Sequence, residues 1–306
     1  MSSAPIVKTI SSSDGTVIYA EAVGDPSNPA LVLVHGLNLS AATFDNLFRD
    51  RRLLDKLYLV RYDLRGHGRS GKPENAEGYQ SRLFADDFAA VASAFRLKNP
   101  VQCGWSYGSE FAFTILNPLL GNLPFTGTVA SDIMQHLGAN TVAGIVYLAA
   151  LPYVGPIMER VGTPIVLGLL PGLMSTTDVA LYARTKVAFM DSLFVHPEKV
   201  DFAVKTSWIG QAILQTPDVS NFILSRSQDP EKLFEAGRKG LPLLVLNGTA
   251  DKQVIGDVVV KEMNPYFKDM DVVMVENGAH ALFYEHQDEV VTALIKFVER
   301  VTAKGT

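Results

Sequence analysis

Short apolar runs rich in β-branched residues alternate along this chain with segments of helical periodicity, and no other feature limits the fold as strongly. The runs are residues 17–23, 30–34, 58–62, 101–103, 142–148, 243–246 and 272–275. Strands that alternate with helices predict an α/β fold, with a mostly parallel sheet covered by helices. Because most runs are continuously aliphatic, we expect strands that are buried on both faces.

The chain predicts one core domain with a helical insertion. Apolar residues recur at helical spacing from Phe84 to Phe95 and again from Val290 to Val301, which predicts two amphipathic helices on the sheet. Residues 152–240 lack strand signals and show helical patches instead. We therefore expect a core formed by residues 1–151 and 241–306, and a helical cap, or lid, formed by residues 152–240 (the insertion).

Composition excludes several classes of protein. A net charge of −5 and the absence of any Lys/Arg-rich run argue against nucleic acid as a partner. The longest apolar stretch, residues 164–174, is too short for the roughly 20 residues that span a bilayer. Cys103 is the single cysteine, and the first 15 residues lack the charged and apolar regions of a secretory signal. These features predict a cytoplasmic protein without a membrane span.

The stretch "CGWSYG" at residues 103–108 marks a candidate nucleophile, Ser106, with a glycine two residues away on each side. Gly-x-Ser-x-Gly alone is a weak signal. Here it follows the short run 101–103 and precedes residues 109–116, which can form a helix. A strand, a sharp turn and a helix raise a serine hydroxyl above the edge of a sheet. We assign Cys103 to the buried strand, with no part in catalysis.

A serine needs a base, and the base needs a carboxylate that orients it. His35 and His67 precede glycines in loops that we assign to other roles, and three further histidines lie in or beside helical segments: His136, His196 and His286. His280 differs, because it lies in the loop at the carboxyl end of the strand 272–275. Asp251 likewise follows the strand 243–246. Asp257 and Glu276 are weaker alternatives, because the first falls within a predicted helix and the second in a glycine turn. The order Ser106, Asp251, His280 suits three successive strand ends of a parallel sheet.

Acyl transfer also requires donors for the oxyanion. The backbone N–H of Tyr107, the residue after the nucleophile, is one candidate. The second is the backbone N–H of Leu37 in "HGLN", residues 35–38, which follows the strand 30–34. Gly36 permits a close approach of the backbone there.

Four motifs together resemble the α/β-hydrolase family, in its cap-bearing serine hydrolase form. They are "HGLN", "RYDLRGHGRS" at residues 61–70, "GWSYG", and "GTAD" paired with "NGAH". The resemblance spans about residues 15–302 and implies an eight-stranded core, a lid after the sixth strand and no cofactor. It also implies a structural role for residues 63–70. The segment 117–140 departs from the family by its length.

The combined interpretation is a serine hydrolase that cleaves a carboxylic ester or lactone through an acyl-enzyme. The apolar insertion favours a small substrate that is uncharged and moderately hydrophobic. Two alternatives keep the same triad, namely hydrolysis of a carbon–carbon bond and cofactor-free perhydrolysis. A third is a ligand receptor on a hydrolase fold with slow turnover, because fold alone does not name a reaction.

Overall fold

The structure is a computed structural model of the 306-residue chain, and it describes residues 4–106, 129–153, 157–226 and 228–303. Its strands form one eight-stranded sheet in the order β1–β2–β4–β3–β5–β6–β7–β8. β2 pairs antiparallel with β1 and β4, and every other pair is parallel. The strands are β1 Ile6–Ser11, β2 Val17–Val23, β3 Ala30–Val34, β4 Tyr58–Tyr62, β5 Val101–Trp105, β6 Gly144–Leu148, β7 Leu243–Gly248 and β8 Met270–Val275. The predicted mostly parallel sheet is confirmed.

The seven runs read from the sequence correspond to β2 through β8. The three earliest runs match β2, β3 and β4 residue for residue, and each of the other four differs from its strand by two residues at one end. β1 was not among the runs, because it is an edge strand with exposed and half-buried residues and so lacks a continuous apolar pattern. The central strands β4 to β7 are buried along their whole length.

Helices from both parts of the core, before and after the insertion, pack on the sheet. Those outside the insertion are α1 Asp45–Phe48, α2 Arg51–Leu54, α3 Ser81–Ala94, α4 Val129–His136, α11 Gly256–Met263, α12 Leu282–Glu285 and α13 Gln287–Thr302. α3 and α13 are the two amphipathic helices that the sequence predicts. Ser81 lies inside α3 and its hydroxyl donates to Asp132 in α4, at 2.6 Å, so the helix begins without a side-chain cap.

Between β6 and β7 the described residues form helices and no strand. These helices are α5 Met158–Val161, α6 Pro164–Leu173, α7 Val179–Asp191, α8 Phe202–Ile213, α9 Pro217–Leu224 and α10 Glu231–Arg238. Asp178, Asp201 and Thr216 accept backbone N–H groups at the starts of α7, α8 and α9, which fixes where these helices begin. No helix in the described ranges has the length and apolarity to cross a membrane.

Among the described residues, six non-glycine residues have a positive φ, of which Arg96 and Asn99 precede β5 and the other four lie at the carboxyl ends of the parallel strands. Four non-glycine residues with positive φ follow strands at this edge: Asn38 after β3, Ser106 after β5, Ala149 after β6 and Asn277 after β8. Left-handed backbone is costly for these residues and concentrates at functional sites. The sheet edge at which the sequence predicts the site residues therefore also carries most of the described non-glycine residues with left-handed backbone.

Candidate active site

Ser106 occupies a strained turn at the end of β5. Its φ is 57°, in the left-handed region. Its N–H donates to the carbonyl of Leu148 at 3.2 Å, and its own carbonyl accepts from the N–H of Leu151 at 3.4 Å. These two bonds hold the turn against the end of β6. The side chain is almost buried, with 7% of its surface exposed, and such a turn is typical of a nucleophile raised above a sheet.

The loop after β3 approaches this turn closely. A Cβ at Gly36 would lie 3.0 Å from Cβ of Ser106 and 3.4 Å from its Oγ, so a larger residue would press on the serine. The backbone N–H of Leu37 donates to no acceptor among the residues that the structure describes. The next residue, Asn38, has a φ of 65°. Leu37 therefore stays a candidate donor, and it lines the same small cavity as Ser106.

Asp251 and His280 form a buried pair. Nδ1 of His280 lies 2.9 Å and 3.0 Å from the two carboxylate oxygens of Asp251. The carboxylate also accepts the N–H groups of Gln253 and Val254, at 2.7 Å and 3.0 Å. The side chains of Asp251 and His280 are 1% and 0% exposed. A carboxylate held by this many donors fixes the imidazole so that Nε2 is the atom left for proton transfer.

Nε2 of His280 has no hydrogen-bond partner among the described residues, which means that it is not bonded to Oγ of Ser106 in this structure. Without substrate, catalytic hydrogen bonds are often long and shorten only in the reacting complex. The unpaired Nε2 is buried in an interior where a polar atom without a partner is costly. It is therefore a candidate base rather than a side chain satisfied by the fold.

The other histidines have different surroundings. His35 uses both ring nitrogens, since Nδ1–H donates to the carbonyl of Gly36 at 2.8 Å and Nε2 accepts the N–H of Leu64 at 3.0 Å. Burial lowers the pKa of His35 and lowers that of His67 strongly, so both rings remain neutral. The remaining three lie at or near the surface: His136, His196 and His286. Among the described residues, His280 alone pairs with a buried carboxylate.

Two sets of contacts join the serine to the acid–base pair. The indole N–H of Trp105, the residue before Ser106, donates to the carbonyl of His280 at 2.9 Å, and the two rings lie 5.7 Å apart. Gln253 and Val254, whose N–H groups bind Asp251, line a small cavity together with Ser106. The fold thus brings Leu37, Ser106, Asp251 and His280 to one edge of the sheet.

The cavity beside Ser106 is small and apolar. It measures about 10 Å³, roughly the space of one water molecule. Its described lining comprises Leu37, Ser106, Leu151, Val166, Phe189, Gln253 and Val254. Val166 and Phe189 belong to α6 and α7, so the insertion closes over the serine. A wider surface depression of about 560 Å³ near Asp14 and Lys72 shares no residue with this site.

Other sequence expectations have mixed outcomes. Tyr107, the other oxyanion candidate, lies outside the described residues, as do the helix expected over 109–116 and residues 117–128 of the segment 117–140. Asp257 lies in α11, as predicted, and both Asp257 and Glu276 are exposed. Cys103 is buried on β5, and burial raises the pKa of its thiol.

The motif "RYDLRGHGRS" forms a network of ion pairs. Arg61 pairs with Glu21 at 2.7 Å, and Arg65 pairs with Asp87 at 2.6 Å with both side chains fully buried. Asp63 accepts the N–H of Ala41 at 2.8 Å, which ties this loop to the one after β3. The residues of this motif support the loop after β3, and none of them lines the cavity beside Ser106.

Sequence reasoning missed one polar group near the site. Lys186, in the middle of α7, is fully buried and donates to the side-chain oxygen of Asn38. Its neighbours in sequence are mostly apolar or small, and a lysine is usually exposed on a helix. The pattern of α7 therefore offers no signal that this amine points inward.

The chain matches a family model described as the alpha/beta hydrolase family over residues 31–293. Since the match covers most of the chain, the protein belongs to the alpha/beta hydrolase family, and it is an enzyme of that superfamily. The fold and the resemblance predicted from the four motifs are confirmed.

Three relatives show what the chain is similar to. Esterase RhEst1 from Rhodococcus sp. ECU1013 has a TM-score of 0.78 and 27% identity, over 96% of this chain and 99% of that one. A "putative aryl esterase" from Burkholderia cenocepacia has a TM-score of 0.78 and 25% identity, over 97% and 100%. A "Putative non-heme chloroperoxidase" from Synechocystis sp. is 23% identical over 293 residues, covering 92% of this chain and 95% of that protein.

Proposed function

We propose that the protein is a serine hydrolase that cleaves a carboxylic ester or lactone through an acyl-enzyme. The observation that carries the proposal is the buried pair of Asp251 and His280 at the same sheet edge as the strained turn of Ser106. The similarity to two proteins described as esterases supports the same reaction class.

In this mechanism Oγ of Ser106 attacks the substrate carbonyl while Nε2 of His280 takes its proton. Asp251 holds the imidazole through Nδ1 and stabilises the imidazolium. The backbone N–H groups of Leu37 and Tyr107 donate to the oxyanion. His280 then gives the proton to the leaving alcohol, and water repeats the sequence to release the acid and restore the serine.

The substrate we propose is a small molecule with an uncharged, moderately hydrophobic group next to the scissile bond. Leu37, Leu151, Val166 and Phe189 make the cavity wall apolar, which suits such a group. Val166 and Phe189 place α6 and α7 against this cavity of about 10 Å³, and we expect these helices to move when a substrate binds. This supports a cap formed by residues 152–240. A cytoplasmic location remains a prediction of the sequence.

A second candidate is perhydrolysis, in which peroxide replaces water as the acceptor of the acyl group. The similarity to a protein described as a non-heme chloroperoxidase favours it. It uses the same Ser106, Asp251 and His280. Product analysis with and without hydrogen peroxide separates the two reactions, because only the second yields a peracid.

The direct test is Ser106→Ala with a p-nitrophenyl ester. We expect loss of turnover and of labelling by a fluorophosphonate, since no hydroxyl remains to be acylated, while the circular dichroism spectrum stays unchanged. Wild-type turnover by this variant would disprove the proposal. A wild-type protein that binds ligand but neither labels nor turns over would favour a receptor on a hydrolase fold.

A further inference from the structure

A fully buried amine in α7 contacts the loop that carries Leu37. Nζ of Lys186 donates to the side-chain oxygen of Asn38 and, at 3.4 Å, to the backbone carbonyl of Gln215. The ring of Tyr182 lies 4.9 Å from it. No ion pair involves this amine within the described ranges of the chain. Its partners are therefore neutral oxygens, an uncommon setting for a buried lysine.

Asn38 is the residue that receives this contact, and it follows Leu37 directly. Asn38 is fully buried and left-handed, with a φ of 65°. Its Nδ2 has no partner among the described residues. The amine of Lys186 is thus the hydrogen-bond partner that the structure gives to the Asn38 side chain. A left-handed residue needs such contacts to hold its conformation.

The residues that follow α7 contact the neighbourhood of Asp251 and His280. Directly after this helix, the hydroxyl of Ser192 accepts from the side chain of Gln253 at 2.8 Å, and the carbonyl of Leu193 accepts the N–H of Ala281 at 2.8 Å. These two partners adjoin the loops of Asp251 and His280. α7 and the two residues that follow it therefore contact both the proposed oxyanion loop and the proposed acid–base loops.

We propose that Lys186 is a positioning residue, which acts through Asn38 to hold the backbone N–H of Leu37 in place for the oxyanion. The inference rests on the proposed function, because that function gives the N–H its role. Because this amine belongs to the insertion, the loop is held only when α7 is closed over Ser106. Closure of the insertion and completion of the oxyanion site then occur together.

Two titratable groups among the described residues interact with the amine. They are Tyr182 on α7, and His67 in the loop after β4, whose pKa is lowered in part by the charge of Lys186. Asn38 and Gln215 contribute neutral oxygens. Burial lowers the pKa of Lys186 itself to about 7. Near neutral pH the amine is present both as a cation and as a neutral group, and either form can donate to Asn38.

The experiment is a double-mutant cycle on the turnover of a p-nitrophenyl ester, with Lys186→Met, Asn38→Ala and the double variant. We expect each single change to lower kcat about tenfold or more with KM within about threefold, since oxyanion donors act in the transition state. The double variant should be no slower than the slower single variant, because both changes remove one contact.

Two further variants control the cycle. Lys205→Met changes a lysine of α8 that pairs with Asp191 at 2.5 Å, and it should keep the wild-type kcat. Asn38→Asp keeps an acceptor for the amine and should retain kcat within about threefold. Thermal melting shows whether Lys186→Met is folded. If it is not, Asn38→Ala is compared with Asn38→Asp instead. Equal kcat values for these two variants would overturn the proposal.

A wild-type kcat in Lys186→Met, or effects that multiply in the double variant, would also overturn it. Ser106→Ala separates this outcome from a failure of the proposed function. If Ser106→Ala is inactive while Lys186→Met matches the wild type, only the positioning role fails. If Ser106→Ala is active, the proposed function fails.

Discussion

At the scale of single residues, the site depends on what each side chain is bonded to rather than on its type alone. His35 and His280 are both fully buried. His35 has both nitrogens occupied by the backbone, whereas His280 has Nδ1 on a carboxylate and Nε2 without a partner among the described residues. Only the second arrangement suits a general base.

The role of Asp251 predicts a large effect of one substitution. Asp251→Asn removes the charge that stabilises the imidazolium and can reverse the tautomer, so kcat should fall by up to about 10⁴-fold. Steady-state kinetics with a p-nitrophenyl ester measures this. Asp257→Asn and Glu276→Gln are matched controls, since both side chains are exposed, and each should keep wild-type activity. A comparable loss in either control would show that the carboxylate is misassigned.

At the scale of elements, strand ends and loops place the site, and each is held by contacts beyond its own sequence. The loop after β3 is tied to the loop after β4 through Ala41 and Asp63, and to α8 through Ser40 and Gln211, at 2.8 Å in each case. β5 leads into the turn of Ser106 and also carries a buried amide. Gln102, at its second position, is fully buried and neither polar atom of its side chain has a partner among the described residues.

Because the buried amide of Gln102 has no partner among the described residues, we predict that an apolar residue at this position of β5 stabilises the protein. Burying an unpaired amide costs about 1–3 kcal/mol, so Gln102→Met should raise the free energy of unfolding by about 1 kcal/mol. Chemical denaturation measures it. Gln253→Met is the matched control, because the buried amide of Gln253 donates to Ser192 at 2.8 Å, and this variant should lose stability. Equal losses in both variants would mean that Gln102 also has a partner.

At the scale of the whole molecule, the insertion and the core share one interior. Trp208 of α8 packs on Trp105 of β5, with ring centroids 6.1 Å apart, and on Phe283 of α12 at 6.2 Å. Lys252, beside Asp251, donates to the carbonyls of Phe194 and Val195 at 2.9 Å and 3.0 Å. The proposed acid–base loops are therefore supported from the insertion as much as from the sheet.

The buried amine of Lys186 predicts how the stability of the whole chain depends on pH. Its pKa is about 7 in the folded chain and about 10.4 when unfolded. Protonation therefore favours unfolding, and this penalty grows as pH falls from about 10 and levels off below about 7. Lys186→Met removes this penalty. The free energy of unfolding of the variant minus that of the wild type should therefore increase by about 2 kcal/mol when the pH falls from 9 to 7.

Urea or guanidinium unfolding at pH 7 and pH 9 measures this difference. Lys205→Met is the control, because its lysine pairs with Asp191 and is partly exposed, so it should not reproduce the pH-dependent gain. A difference between Lys186→Met and wild type that stays constant over this range would show that the amine is not held in a dry interior.

The sequence by itself determined the sheet, the order of its strands along the chain and the family. Apolar runs identified seven of the eight strands. Burial on both faces explains the signal of the central strands, whereas the edge strand β8 is mostly exposed or half-buried and was found because its sequence is still continuously apolar over residues 272–275. Polar residues interrupt the other edge strand, β1. The sequence also named Ser106, Asp251 and His280, because residues directly after parallel strands meet at one edge.

Only the tertiary structure decided how these residues are held. The bond from Trp105 to His280, the contact from Lys186 to Asn38 and the closure of the cavity by Phe189 each join residues far apart in the chain. Such contacts depend on how helices of the insertion dock on the sheet, and helical periodicity shows which face is buried but not which partner it meets. The candidate residues could be predicted from local sequence, whereas their packing required the folded molecule.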